Sequence, residues 1–361
     1  MDENILDVNE HPEMILSHHP KRQKTFHGGF SNPRHDLYTV GWICALHIEM
    51  TAARAMLDEI HEPLPQHTDD SNVYVLGDIK QHNVVIACLQ NRQYEAVNTA
   101  IVATNMLRMF PRIRACLVVG IGGGVPSKAD LRLGDVVVGT KVIHYDFGKV
   151  IDGEHLRQTK IPRVPHQLFG TVMSALRAKH ELSPSRVPII LQQKLASLPA
   201  YCHPDIPDHL FDATCVHESV THGCNRCDLS KLVKRDSRTG DKFKVHYGAM
   251  ASGNQVIRSG MIRDNVAQEL GVICFEMETA SLHDTLPCLL IRGICDYSDS
   301  HRSKEWQKYA AATAAAYARE LTEELSVTDA TCMQKPSKFS PELGDCWSVL
   351  LTLTIRSPSV R

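Results

Sequence analysis

Along the chain, short apolar runs are separated by amphipathic stretches, an alternation that predicts strands interleaved with helices. Residues 38–46 read as a buried strand leading into residues 49–57, which are rich in helix formers. Residues 73–79 and 83–89 predict a hairpin turning at Lys80, Gln81 and His82. Residues 95–109 predict an amphipathic helix stopped by Phe110 and Pro111. A strand over 115–119 should open into a glycine-rich turn at 120–124, followed by two strands over 135–139 and 142–146 and a helix over 166–180. Between 183 and 241 the pattern dissolves into Pro-, His-, Cys- and charge-rich sequence, which predicts a long surface insertion. It returns as a strand over 244–251, a helix over 259–270, apolar runs at 271–274 and 288–291, and an Ala-rich helix over 304–325. The flanks, 1–37 and 326–361, lack periodicity and are expected to be tails.

Composition narrows the class. At 361 residues, 43% hydrophobic and 22% charged, the chain has the makings of one large globular domain or two small ones. A net charge of −2 offers no electrostatic case for nucleic acid or an anionic membrane. No apolar run reaches the roughly 20 residues of a membrane span, and the acidic start Met1-Asp2-Glu3-Asn4 has no signal-peptide layout. Twelve cysteines are scattered, several within apolar runs, as suits reduced thiols. These features predict an intracellular, cytoplasmic protein. Residues 20–24, Pro-Lys-Arg-Gln-Lys, would suit either nuclear import or a solvated tail.

Candidate chemistry gathers where apolar runs stop. Glu276 and Glu278 flank Met277 at the end of one run, and an extended backbone would put both carboxylates on the same side. The residues alone leave two uses open, a ligand site or acids that reach water and cap the next helix. Glu49 opens the first predicted helix directly after a strand, where open α/β sheets place catalytic groups and where an acid also complements the helix dipole. The run Gly120-Ile121-Gly122-Gly123-Gly124 is neither a dinucleotide fingerprint, since Val125 stands at the third glycine position, nor a P-loop. Its bare N–H groups still let a ligand approach. Cys224-Asn225-Arg226-Cys227 has chelating spacing, with Cys215, His217 and His222 nearby, but without a second pair a Cys-rich loop is the favoured reading.

The strand–helix junction at Glu49, the glycine run at 120–124, Ser-Gly-Asn at 252–254, Phe-Glu-Met-Glu at 275–278 and Arg-Gly-Ile-Cys-Asp at 292–296 occur in a recognisable order. Together they resemble the nucleoside phosphorylase superfamily, in the branch of 5′-methylthioadenosine/S-adenosylhomocysteine nucleosidases, and especially the related domains of fungal multidomain proteins. The resemblance spans residues 38–325. It implies a single α/β domain around a mixed, partly closed sheet surrounded by helices, acting on a small-molecule nucleoside without cofactor, and a homo-oligomer. It also implies that Asp296 is the general acid at the purine N7, that Glu278 accepts from the ribose hydroxyls and that Met277 packs under the sugar, with Glu276 beside it. Glu49 would orient the attacking water next to Arg292, while Gly122, Gly123, Asn254 and Val256 would line the substrate.

Departures from the family pattern sharpen the expectation. Ile121 replaces a hydroxyl residue beside the nucleophile, Val256 replaces an aromatic that stacks on the base, and Asn254 replaces an acid. Phosphate as co-substrate would need arginines in bidentate geometry, for which Arg54 and Arg92 are the candidates, and Glu95 would repel it. Water is therefore favoured over phosphate. The alternative from another class is a nucleoside-sensing domain with weak catalysis, as in relatives where an ATPase or repeat module follows.

Overall fold

The computed structural model describes residues 34–90, 96–146, 148–151, 155–158, 162–217, 227–238, 243–277 and 288–326. In chain order the elements are β1 (Val40–Cys44), α1 (His47–Ala55), β2 (Ile60–His61), β3 (Tyr74–Ile79), β4 (His82–Cys88), α2 (Ala96–Met109) and β5 (Ala115–Gly124). Then come β6 (Val136–His144), β7 (Gly148–Ile151), β8 (His155–Gln158), α3 (Gln167–Leu182), α4 (Val187–Leu195) and β9 (Val245–Ser252). The last are α5 (Gly260–Leu270), β10 (Val272–Glu276), β11 (Cys288–Asp296) and α6 (Gln307–Glu323).

Nine strands form one mixed sheet in the order β10-β9-β6-β11-β5-β1-β4-β3-β2. β5 runs parallel to both β1 and β11, whereas β6 is antiparallel to β11 and parallel to β9. β10 then returns to β5, pairing Cys274 with Gly124 and Phe275 with Gly123. Five strands thus close into a ring and the other four splay from it, the mixed, partly closed sheet of a single α/β domain.

The glycines explain the closure and correct one expectation. Residues 120–124 are not a turn but the second half of β5, gripped by β11 on one side and β10 on the other. A Cβ on Gly122 would lie 2.9 Å from both Cys274 Sγ and the Phe275 carbonyl oxygen, so a side chain there would hold the two strands apart. The two strands expected over 135–146 are one, β6, with a register shift between Gly139 and Lys141.

The surface insertion expected at 183–241 is also corrected over its first part. Val187, Ile190, Leu195, Tyr201 and Phe211 are buried, and the first four join the core beneath α6. α6 itself is buried on every face from Tyr309 to Thr322. Its seven alanines in that span let the sheet approach closely, so that Gly293 of β11 sits against the Ala310 carbonyl with no room for a Cβ. The two charged residues it buries are satisfied. Arg319 holds Asp58 and the Met56 carbonyl, and Glu320 accepts from Ser185 and the Arg186 N–H. No helix among the described residues is long and apolar enough to cross a membrane.

Candidate functional site

The parallel strands β1, β5 and β11 bring their carboxyl ends to one side of the sheet, and the candidate acids lie there. Glu49 stands in the first turn of α1, immediately after β1, and is 4% exposed. Its Oε2 accepts from the N–H groups of Ala45 (2.7 Å) and Leu46 (2.9 Å), and its Oε1 from that of Ile121 (2.8 Å). The Leu46 bond is the acid's half of a capping box, so helix capping and site geometry are served by the same side chain. Burial pushes the Glu49 carboxyl up, and the Arg292 charge with the three N–H groups only partly offsets it.

Arg292, on β11, is 1% exposed, and its Nη2 donates to Glu276 Oε2 at 2.8 Å. This buried pair joins the end of β10 to β11. Gly120 is the floor beneath both charges, since a Cβ there would lie 2.5 Å from Glu49 Oε1 and 2.7 Å from Arg292 Nη1. Only a bare backbone lets the carboxylate and the guanidinium share that space.

Asp296 closes β11. Its Oδ2 accepts from Arg302 Nε (2.9 Å) and Nη2 (2.8 Å), and its Oδ1 from the Ser298 N–H (2.9 Å). Ser298 has a φ of 50°, a left-handed conformation uncommon outside glycine, and this bends the chain back so that its N–H meets the carboxylate two residues earlier. Burial works against the Arg302 charge, but the Asp296 carboxylate more than compensates and strengthens the cation. Gly123 faces this group at van der Waals limits, because a Cβ there would collide with Ser298 Oγ and lie 2.9 Å from Asp296 Oδ1.

A cavity of about 40 Å³ opens between Asp296 and the end of β10. That is room for ~3 water molecules, not for a nucleoside. Of the residues expected at the site, Gly123, Val256, Glu276, Met277 and Asp296 line it. Arg292 and Glu49 do not, and Arg292 reaches it through Glu276. Gly122 packs against β10, and Asn254 is exposed, its N–H donating to Asp146 Oδ2 at 2.6 Å. Neither borders the cavity. Glu278 and Cys224 lie outside the described residues, as do Arg92 and Glu95, while Arg54 is exposed.

The site also contains residues that the sequence pattern did not mark, Arg302, Ser298, Gln255 and Ile257, together with Phe275 of the Phe-Glu-Met-Glu motif. Arg302 follows Asp296 by six positions in an aperiodic segment, so its charge was the sole available signal. Elsewhere, Cys215 Sγ lies 3.7 Å from His301 Nε2, yet no three His, Cys, Asp or Glu side chains among the described residues are grouped to hold a metal.

Comparison with known proteins agrees with this architecture. The sequence model of the Phosphorylase superfamily matches residues 39–326, and the chain belongs to that family. Among its relatives, a nucleotide-binding leucine-rich repeat (NLR)-like protein of Hyaloscypha variabilis is 42% identical over 296 residues, covering 79% of this chain. The chain spans only 29% of that relative's length. A 5′-methylthioadenosine/S-adenosylhomocysteine nucleosidase of Mycobacterium bovis is 26% identical over 298 residues, 81% of this chain and 98% of the nucleosidase. Among solved structures, futalosine hydrolase of Helicobacter pylori superposes with a TM-score of 0.54 at 16% identity. The alignment covers 81% of this chain and 100% of that one, a likeness of fold.

Proposed function

We propose that the chain cleaves the N-ribosidic bond of a purine nucleoside, with water rather than phosphate as the nucleophile. Family membership and the nucleosidase relative support an N-ribosyl hydrolase or phosphorylase. The observation that carries the choice of water is Glu49, a buried carboxylate with a raised proton affinity, held by three N–H groups beside a guanidinium. Such an acid takes up a proton more readily than an ordinary glutamate, as a general base must. Arg292, the cation next to it, is already committed to Glu276 and so is not free to clamp a phosphate dianion.

In this reaction the water oxygen bonds to the anomeric carbon and gives its proton to Glu49. The bond from that carbon to the base nitrogen breaks, its electron pair leaves with the base, and Asp296 supplies a proton at N7. Glu278 holds the ribose hydroxyls while charge builds on the ring, and Met277 packs under it. The test is chromatographic detection of free base from adenosine, inosine, guanosine, methylthioadenosine and S-adenosylhomocysteine, with and without phosphate. Release without phosphate is expected, and release only with phosphate would overturn the role of water.

The NLR-like relative, at 42% identity over a domain that fills under a third of its length, favours a second reading as a nucleoside-sensing module. Binding of a nucleoside without release of base from any of the five would select it.

A further inference from the structure

We propose that Arg302 is a positioning residue that latches Asp296 in the unliganded site and must swing away before Asp296 can meet a departing base. The inference rests on the N-ribosyl hydrolase reading above and assigns it a control point.

Three N–H groups point at the Asp296 carboxylate: Nε and Nη2 of Arg302 on Oδ2 and the Ser298 N–H on Oδ1. With the Cys295 thiol also on Oδ2 at 3.4 Å, both carboxyl oxygens are engaged by the protein itself and neither is open to a base. The Ser298 bond is local and is fixed by the turn. The Arg302 fork comes from a side chain six residues on, and it is the part that can be exchanged. Its surroundings show which partner moves. Asp296 is 4% exposed in its side chain and Arg302 36%. The segment between them is pinned at its start: the Tyr297 carbonyl accepts from Arg263 Nη1 (2.9 Å), and its hydroxyl meets Arg235 (2.9 Å) and Asp208 (2.6 Å).

Arg302 also lines the ~40 Å³ cavity, facing Val256 and Met277 among its walls. A purine brought to Asp296 needs the volume that the guanidinium holds, so entry of the base and release of the carboxylate are one event. When Arg302 leaves, Oδ2 of Asp296 is freed to meet the base. Breaking a charge-assisted fork also lowers the apparent affinity for substrate, because only the unlatched fraction binds.

The experiment has two arms, both on the full chain. In ¹⁵N NMR the Arg302 Nε–H resonance, assigned by its loss in Arg302→Gln, should exchange slowly with water in the free protein. It should exchange rapidly once adenine saturates the site, with saturation confirmed by calorimetry. In the kinetic arm, R302Q should lower KM for base release about three- to tenfold while leaving kcat within about twofold of wild type. Arg302→Lys, which keeps the charge, should leave KM near its wild-type value. Rapid Nε–H exchange in the free protein, protection unchanged with adenine bound, or R302Q kinetics superimposable on wild type would each overturn the latch. If wild type releases no base from any nucleoside, the hydrolase reading falls instead, and Nε–H exchange in the free protein alone decides whether the latch exists.

Discussion

At the scale of single residues the site depends on how buried charges are satisfied. Glu49 is held by three N–H groups and raised by burial, so its base form disappears at a higher pH than that of an ordinary glutamate. On the proposed mechanism kcat/KM should therefore fall on the acid side above the usual carboxylate range. Glu49→Gln, which keeps the shape but cannot take a proton, should lower kcat by about 10²–10⁴-fold and abolish that limb. Stopped-flow measurement of base release over pH 4–8 checks both, and an acid limb within the ordinary range would remove Glu49 as the base. The three described carboxylates, Glu49, Glu276 and Asp296, were legible in the sequence because an acid at the end of an apolar run is conspicuous. Their partners were not. Nothing local joins Glu276 to Arg292, 16 residues away across the sheet, or tells whether Gly122 faces a ligand or a neighbouring strand.

Among elements, most boundaries followed from periodicity, and the misreadings share one cause. Glycine has low strand propensity, so 120–124 looked like a turn, but in a strand clamped from both sides the absence of a side chain is what the neighbours require. Likewise α4 is only nine residues long, has Pro188 in its first turn and lies in a Pro- and charge-rich stretch, yet it covers one flank of α6. Tertiary contact overrode propensity in both cases. The tightest of these contacts, Gly293 against the Ala310 carbonyl, yields a prediction about stability. Gly293→Ala should destabilise the protein by about 3 kcal/mol, through overpacking between β11 and α6. Urea unfolding followed by tyrosine and tryptophan fluorescence measures it, and an unchanged midpoint would show that α6 can shift to make room.

For the whole molecule, ring closure decides where chemistry is placed. The sequence marked strands and helices in order, but closure of β10 onto β5 is a non-local pairing across 150 residues that no local pattern encodes. The closed ring leaves Val256, Met261 and Ile262 exposed, with Val256 at the cavity and the other two on the first turn of α5. We expect the protein to associate with itself over this rim, as the family resemblance implies. Light scattering should then give a mass at least twice the 40.3 kDa of the chain, and Met261→Lys should shift the mass toward the monomer. A wild-type mass of one chain would exclude self-association.

The buried helix α6 carries a consequence for biogenesis. A ribosome delivers β1 and β5 long before α6, and β11 just before it, yet α6 fills the centre of the larger core against which α1, α3 and α4 pack. Until residue 323 has emerged, those three helices and the sheet present apolar faces with nothing between them. Folding of this domain is therefore held back to the final stage of its synthesis. Chaperones that shield such faces would act on nearly the whole domain at once rather than on successive pieces.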